Sequence, residues 1–141
     1  MSERPDWWPA LVASVKQHEG RRLRLYTDTE GKLSIGYGRN LSDNGITAVE
    51  AELMLAHDLD VAYREALAAW PWLAQQTEAR QAVVVEMAYN LGVPRLSGFG
   101  RFLEALRMGR YGEAAQEMLD SRWPQQTKGR ARTLAERMRR G

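Results

Sequence analysis

Residues 17–38 read QHEGRRLRLYTDTEGKLSIGYG, and the way this stretch divides decides the fold. Upstream, Trp8, Leu11, Val12 and Val15 recur at helical spacing, so an amphipathic helix runs from Trp7 to Glu19, and Gly20 supplies a left-handed stop. Downstream, Leu23 and Leu25, then Leu33, Ile35 and Tyr37, alternate with polar neighbours on either side of DTEG. That is the pattern of two half-buried strands joined by a turn. Glu19 therefore falls on the last turn of a helix, the end at which the macrodipole disfavours a carboxylate, and Asp28 falls in the hairpin turn.

Working outward, Asn44-Gly45 forms a turn, and Thr47 with Glu50 three residues later makes a capping box. The Ala- and Leu-rich stretch that follows places Ala51, Met54, Leu55, Leu59, Ala62, Ala66 and Leu67 close to one face of a long helix, which Pro71 ends or bends. EARQAVVVEMAYNLG is apolar nearly all round between Ala82 and Leu91 and reads as a buried central helix. Shorter helices are expected around Phe99 to Met108, Tyr111 to Leu119 and Thr127 to Arg139. The fold class is α+β and mostly α-helical: a small hairpin lobe at about residues 15–60, joined by the long helix to a larger helical lobe at about residues 61–141.

The chain has 141 residues and is 44% hydrophobic, enough for one domain with a real core and too little for two of ordinary size. It has no cysteine, which excludes disulfides and thiolate metal sites, and only His18 and His57, which lack metal-ligand spacing; no metal or cofactor is expected. The N-terminal apolar patch is interrupted by Pro9 and followed by Lys16, so neither a signal peptide nor a membrane anchor is read there. Net charge is +2, yet seven Lys or Arg lie between Ser121 and Gly141 (Arg122, Lys128, Arg130, Arg132, Arg137, Arg139, Arg140) against Glu136 alone. A basic end suits a polyanion, whether nucleic acid, acidic lipid or an anionic wall polymer, and equally suits a solvated helix face.

An Asp in a turn is commonly there for its own hydrogen bonds. Glu19 is less ordinary, because a helix end that favours the protonated form is where a general acid at neutral pH is useful. A carboxyl on a helix and another on a hairpin, facing across a cleft, is the arrangement of glycoside hydrolysis. The segment E-G-x-R-L-x-x-Y-x-D-T-x-G-x-x-S-I-G-x-G, Glu19 to Gly38, resembles the N-terminal motif of the phage-type lysozymes, glycoside hydrolase family 24. The resemblance continues through NGIT and the residues after it, RQAVVVEMAYNLG, GFGRFLEAL and SRWPQQTKGRARTLAERMRRG, and so covers the chain from about residue 12.

The resemblance implies a bilobal lysozyme-like domain spanning residues 1–141, with the N-terminal helix packed on the large lobe. It also implies a muramidase that cleaves the β-1,4 bond between N-acetylmuramic acid and N-acetylglucosamine in peptidoglycan. Carried over by position, Glu19 is the general acid, Asp28 assists the nucleophile on the opposite face, and Ser34 holds the water where the family often has Thr. Inversion is expected if the carboxyls stand far enough apart to admit a water. Arg130 matches an arginine that reaches toward the catalytic Glu, and Tyr89, Asn90 and Trp123 match the sugar-cleft wall. Two departures stand out. Arg39, with Asp58 as its matching acid, replaces a histidine–aspartate pair, and Asn40 occupies a cleft position that is usually apolar. The expected partners are peptidoglycan and, through the basic end, the anionic envelope, with no specific nucleic acid. A monomer is expected, waiting in the host cytoplasm for a holin to open the way to periplasm and wall. Two alternatives are a lytic transglycosylase, which needs only the acid, and a non-catalytic wall-binding or membrane-active module.

Overall fold

The computed structural model describes residues 3–127 and 129–141, so Lys128 of the basic end lies outside the described residues. The chain divides into two compact units, Met1–Glu52 and Leu53–Gly141. In the first, α1 (Trp8–Glu19) opens with Pro9 in its first turn, where a missing N–H costs no helix bond. It ends at Gly20 (φ 71°), whose N–H donates to the Lys16 carbonyl at 3.0 Å. None of its residues is buried.

After α1 come three antiparallel strands in the order β1 (Arg22–Thr27), β2 (Leu33–Gly36) and β3 (Arg39–Asn40), then the single-turn α2 (Leu41–Asn44). Register sets Tyr26 opposite Ser34 and Ser34 opposite Asn40. Sequence periodicity gives two strands; β3 and α2 are too short to carry a period. Among the described residues of this unit, Ser34 is the one that is buried. Leu23 and Leu25, expected to be half-buried, are 74% and 56% exposed. The helix that packs on this small sheet is the one-turn α2, which leaves their face uncovered within the unit.

Polar bonds replace packing here. Leu33 N–H donates to Ser42 Oγ at 2.9 Å, and Lys32 Nζ pairs with Asp43 at 3.1 Å. The expected capping box forms, Glu50 N–H donating to Thr47 Oγ1 (3.1 Å) and Thr47 N–H to Glu50 Oε1 (2.8 Å). The Arg39 guanidinium forks onto both Glu50 oxygens and also donates to the Gly45 carbonyl at 3.1 Å. Within its own unit the acid that Arg39 meets is therefore Glu50, and Asp58, in the second unit, lies 3.5 Å from His57 Nδ1. The capping box turns the Glu50 carboxylate back over the loop, within reach of the Arg39 fork.

The second unit contains most of α3 (Ala48–Ala69), a 3-10 turn (Pro71–Gln75), α4 (Glu78–Leu91), α5 (Val93–Leu96), α6 (Gly100–Arg107), α7 (Tyr111–Asp120), α8 (Trp123–Thr127) and α9 (Arg130–Arg140). Of the apolar face read for the long helix, Ala62 and Ala66 are buried, whereas Met54, Leu55 and Leu59 stay 36–52% exposed. The core forms where α4 (Val83, Val84, Met87), α6 (Phe102, Leu106), α7 (Met118) and α9 (Leu134, Met138) meet. The helix expected around Thr127 to Arg139 is α9, which starts at Arg130 after Gly129 takes a left-handed conformation (φ 96°); α8, before it, is not read from the sequence.

Arg80, on the first turn of α4, is 7% exposed and has no carboxylate partner among the described residues. Its Nε donates to the Met138 carbonyl at 2.8 Å and its Nη2 to the Arg139 carbonyl at 3.0 Å, while the guanidinium lies 3.4 Å from the Tyr111 ring centroid. Those carbonyls are at the C-terminal end of α9, where backbone acceptors lack intrahelical partners and the macrodipole favours a cation.

Arg80→Leu is expected to lower the unfolding free energy by about 2–4 kcal/mol, from lost charged hydrogen bonds and the lost aromatic contact, read from urea unfolding. A second expectation concerns acid. The Arg39 fork and the Thr47 backbone bond hold the Glu50 carboxyl at a pKa of about 2. Because the folded value is depressed, the pair's contribution is full above pH ~4.5 and is lost as pH falls toward ~2. Glu50→Gln should flatten that part of the stability curve, and an unchanged slope between these limits would refute the assignment.

Candidate active site

Asp28 follows β1 and opens the DTEG turn. Its Oδ1 accepts the Glu30 and Lys32 N–H groups, both at 2.9 Å. Its own N–H donates to Lys32 O (2.8 Å), and its carbonyl accepts from Gly31 N–H (3.0 Å). The turn thus uses one carboxylate oxygen. The other, Oδ2, accepts a long 3.5 Å hydrogen bond from the Ser34 hydroxyl on the central strand. Turn-forming and chemical roles are therefore not rivals at Asp28, because each has its own oxygen.

Glu19 is the last residue of α1. A Cβ built on Gly38 would lie 3.0 Å from Glu19 Oε2, so the carboxylate rests against the turn between β2 and β3 where a side chain is missing. Gly38 also has φ +83°, which side-chain-bearing residues rarely adopt. Lys16, one turn back, has its ammonium 5.6 Å from the Tyr37 ring centroid, a second tie between α1 and this turn. The structure thus pairs Asp28 with Ser34 and sets Glu19 on Gly38, all within the first unit.

Asn40, expected at a cleft position, is tied to the short helix that follows it. Its Oδ1 accepts the Asp43 N–H (3.0 Å), which caps α2, and its Nδ2 donates to Asp43 Oδ2 (2.9 Å).

The remaining candidates belong to the second unit. Tyr89 is 43% exposed, whereas Trp123 is 1% exposed. The Trp123 Nε1–H donates to Asn90 Oδ1 at 2.8 Å. An indole N–H can only donate, so the Asn90 oxygen faces Trp123 and its NH2 is the outward donor. Trp123 orients Asn90 and presents no open face of its own. Arg130 Nε donates to Glu86 Oε2 at 2.7 Å. A groove of about 540 Å³ runs past this pair, lined by Tyr63, Val85 and Tyr89 among others. Glu86 escaped the sequence reading, although a lone charge inside the apolar Ala82–Leu91 run was the available signal. Among the described residues, no group of three His, Asp or Glu side chains converges as a metal site would require.

With this geometry in view, the sequence matches the family described as Phage lysozyme over residues 16–140. The chain belongs to that family. Phage lysozymes are glycoside hydrolases of the muramidase type, and this chain is one of them. It is 27% identical to a probable T4-type lysozyme 1 of Dictyostelium discoideum, over 86% of this chain and 91% of that protein. A second protein of that organism, probable T4-type lysozyme 2, is 24% identical with 86% and 89% covered. The pre-baseplate central spike protein Gp5 of Enterobacteria phage T4 is 29% identical over 86% of this chain, which spans about a quarter (26%) of that longer protein.

Gly38→Ala tests the contact at Glu19. The new methyl must displace either the carboxylate or the turn, and a misplacement on the ångström scale costs on the order of tenfold to a hundredfold in rate. Turnover on peptidoglycan is expected to fall by that much while the fold persists; wild-type turnover would show that the contact is irrelevant to chemistry.

Proposed function

We propose that this lysozyme hydrolyses the β-1,4 bond between N-acetylmuramic acid and N-acetylglucosamine in bacterial peptidoglycan, and that it does so as an endolysin causing host cell lysis. The observation that carries this reading is the division of the Asp28 carboxylate: Oδ1 is bound by the turn, and Oδ2, beside the Ser34 hydroxyl, is left to hold and deprotonate a water. Glu19 donates a proton to the glycosidic oxygen as the bond breaks, and the water adds to the anomeric carbon. Proton and hydroxyl are both accounted for. On the helical unit, Tyr89 offers an aromatic face and Asn90 an outward NH2 to the sugars, with Trp123 holding Asn90 in place. Arg130 belongs to the same substrate-binding set. In this reading the protein acts as a monomer and depends on a holin to reach the wall.

The membrane-active alternative meets an obstacle in α9. Its apolar residues Ala131, Leu134, Ala135 and Met138 are buried in the core, so it has no apolar face to insert. Arg132, Arg137, Arg139 and Arg140 remain exposed, a surface suited to screened attraction toward an anionic envelope. No helix among the described residues is long and apolar enough to cross a membrane.

The test is clearing of outer-membrane-stripped cells, with mass spectrometry of the released sugars. Wild type should release reducing-end muropeptides. Glu19→Gln and Asp28→Asn should each lose on the order of 10²–10⁴-fold in rate, the range of positioned acid–base groups. Ser34→Thr should keep most activity and Ser34→Ala should not. Anhydro-muropeptides would make the enzyme a transglycosylase, and clearing by Glu19→Gln without glycan cleavage would end the catalytic reading.

A further inference from the structure

Tyr37 belongs by its alternation to a half-buried strand, yet β2 ends at Gly36 and Tyr37 is 40% exposed in the turn between β2 and β3. Gly36 and Gly38, on either side of it, take left-handed φ values of 71° and 83°, so the glycines make the turn and the aromatic ring is not needed for it. The ring instead meets α1. The Lys16 ammonium lies 5.6 Å from its centroid, within the roughly 6 Å over which a cation is drawn to a ring face. The next residue, Gly38, is the one on which Glu19 Oε2 rests, 3.0 Å from where a Cβ would be. Lys16 and Glu19 are one helical turn apart and project on the same side of α1. Two successive residues of one turn therefore meet two successive rungs of one helix.

The last turn of α1 has little else within its unit to hold it. None of the residues of α1 is buried, and among the described residues no hydrogen bond joins α1 to the sheet. Glu19 is also the terminal residue of the helix, where fraying begins. We infer that Tyr37 and Lys16 are positioning residues: the ring holds the ammonium, and the ammonium holds the end of α1 over the turn, so that the Glu19 carboxyl stays seated on Gly38. The inference rests on the reading of Glu19 as the acid. A cation suits this end of a helix, where the macrodipole is negative, so Lys16 serves as a tether without strain on α1. A carboxylate at position 37 would hold Lys16 as well, but it would set a second negative charge one residue from the seat of Glu19 and push the proton affinity of the acid upward. A neutral ring face tethers the ammonium without that disturbance.

The test is a cycle of Tyr37→Leu, Lys16→Met and the double variant, with Tyr37→Phe and Lys16→Arg beside them, kcat and KM being measured on purified peptidoglycan. Tyr37→Leu and Lys16→Met are each expected to lower kcat about two- to fivefold, the size of an exposed cation–ring contact, with KM nearly unchanged. The double variant should lose no more than the larger single loss. Tyr37→Phe keeps the ring face and Lys16→Arg keeps the cation, so both should retain most of the wild-type kcat. Equal losses in Tyr37→Phe and Tyr37→Leu, additive losses in the cycle, or a raised KM with kcat unchanged would each overturn the inference, the last by making Tyr37 a contact for the substrate. Should Tyr37→Leu fail to fold, Lys16→Met, a change on an exposed helix, carries the comparison. NMR reads the seat without turnover, as the nuclear Overhauser effect between the Glu19 γ protons and the Gly38 α protons. It should be present in wild type and Tyr37→Phe and weakened in Tyr37→Leu and Lys16→Met. A weakened signal with wild-type kcat throughout would uphold the tether and remove Glu19 as the acid, whereas an unchanged signal would remove the tether whatever the chemistry.

Discussion

The first unit carries its chemistry on a scaffold that has almost no apolar interior. Its one buried residue among those described is Ser34, a hydroxyl, and the sheet around it is three short strands. Such a sheet cannot be held by the hydrophobic effect acting within the unit, because a small unit leaves most of its surface in water. What holds it is a set of directional bonds: Asp28 to the turn, Asn40 and Asp43 across α2, Ser42 to Leu33, and the Arg39–Glu50 fork over the loop. Hydrogen bonds are sensitive to angle in a way that packing is not, so this arrangement fixes where carboxylates point. The same bonds that stabilise the hairpin aim Asp28 Oδ2 at Ser34.

The second unit works the other way round. There α4, α6, α7 and α9 bury a continuous apolar core, and the polar groups that matter are mounted on its rim. Trp123 is packed by the core and passes its orientation to Asn90 through a single N–H. Arg80 closes the end of α9, the helix whose first residue is Arg130. Burial of the apolar face of α9 also decides what its arginines can do, since a helix whose apolar side is occupied can attract an anionic surface and cannot enter one.

Several parts of this arrangement are legible without coordinates. The helix ending at Gly20, the hairpin around DTEG, the capping box at Thr47 and the central helix before Gly92 each follow from short-range rules: periodicity, caps and the conformations that glycine permits. Glu19 and Asp28 stand out for the same reason, as charges in places that local rules make unusual or special. Three pairings escaped: Arg39 with Glu50, Arg130 with Glu86, and Asn40 with Asp43. In the first two, both partners were visible in the sequence and the pairing was not.

The sequence by itself determined which elements form, where they stop, and that two carboxyls and a hydroxyl sit on a helix end, a turn and a strand. These are consequences of neighbours within a few residues, and local geometry is enough to produce them. Tertiary structure alone decided which polar group meets which: Trp123 with Asn90 across 33 residues and Arg130 with Glu86 across 44. A guanidinium or an indole N–H accepts any suitably placed oxygen, so its own chemistry names no partner. Only packing of the helices against one another selects the oxygen that comes within 3 Å.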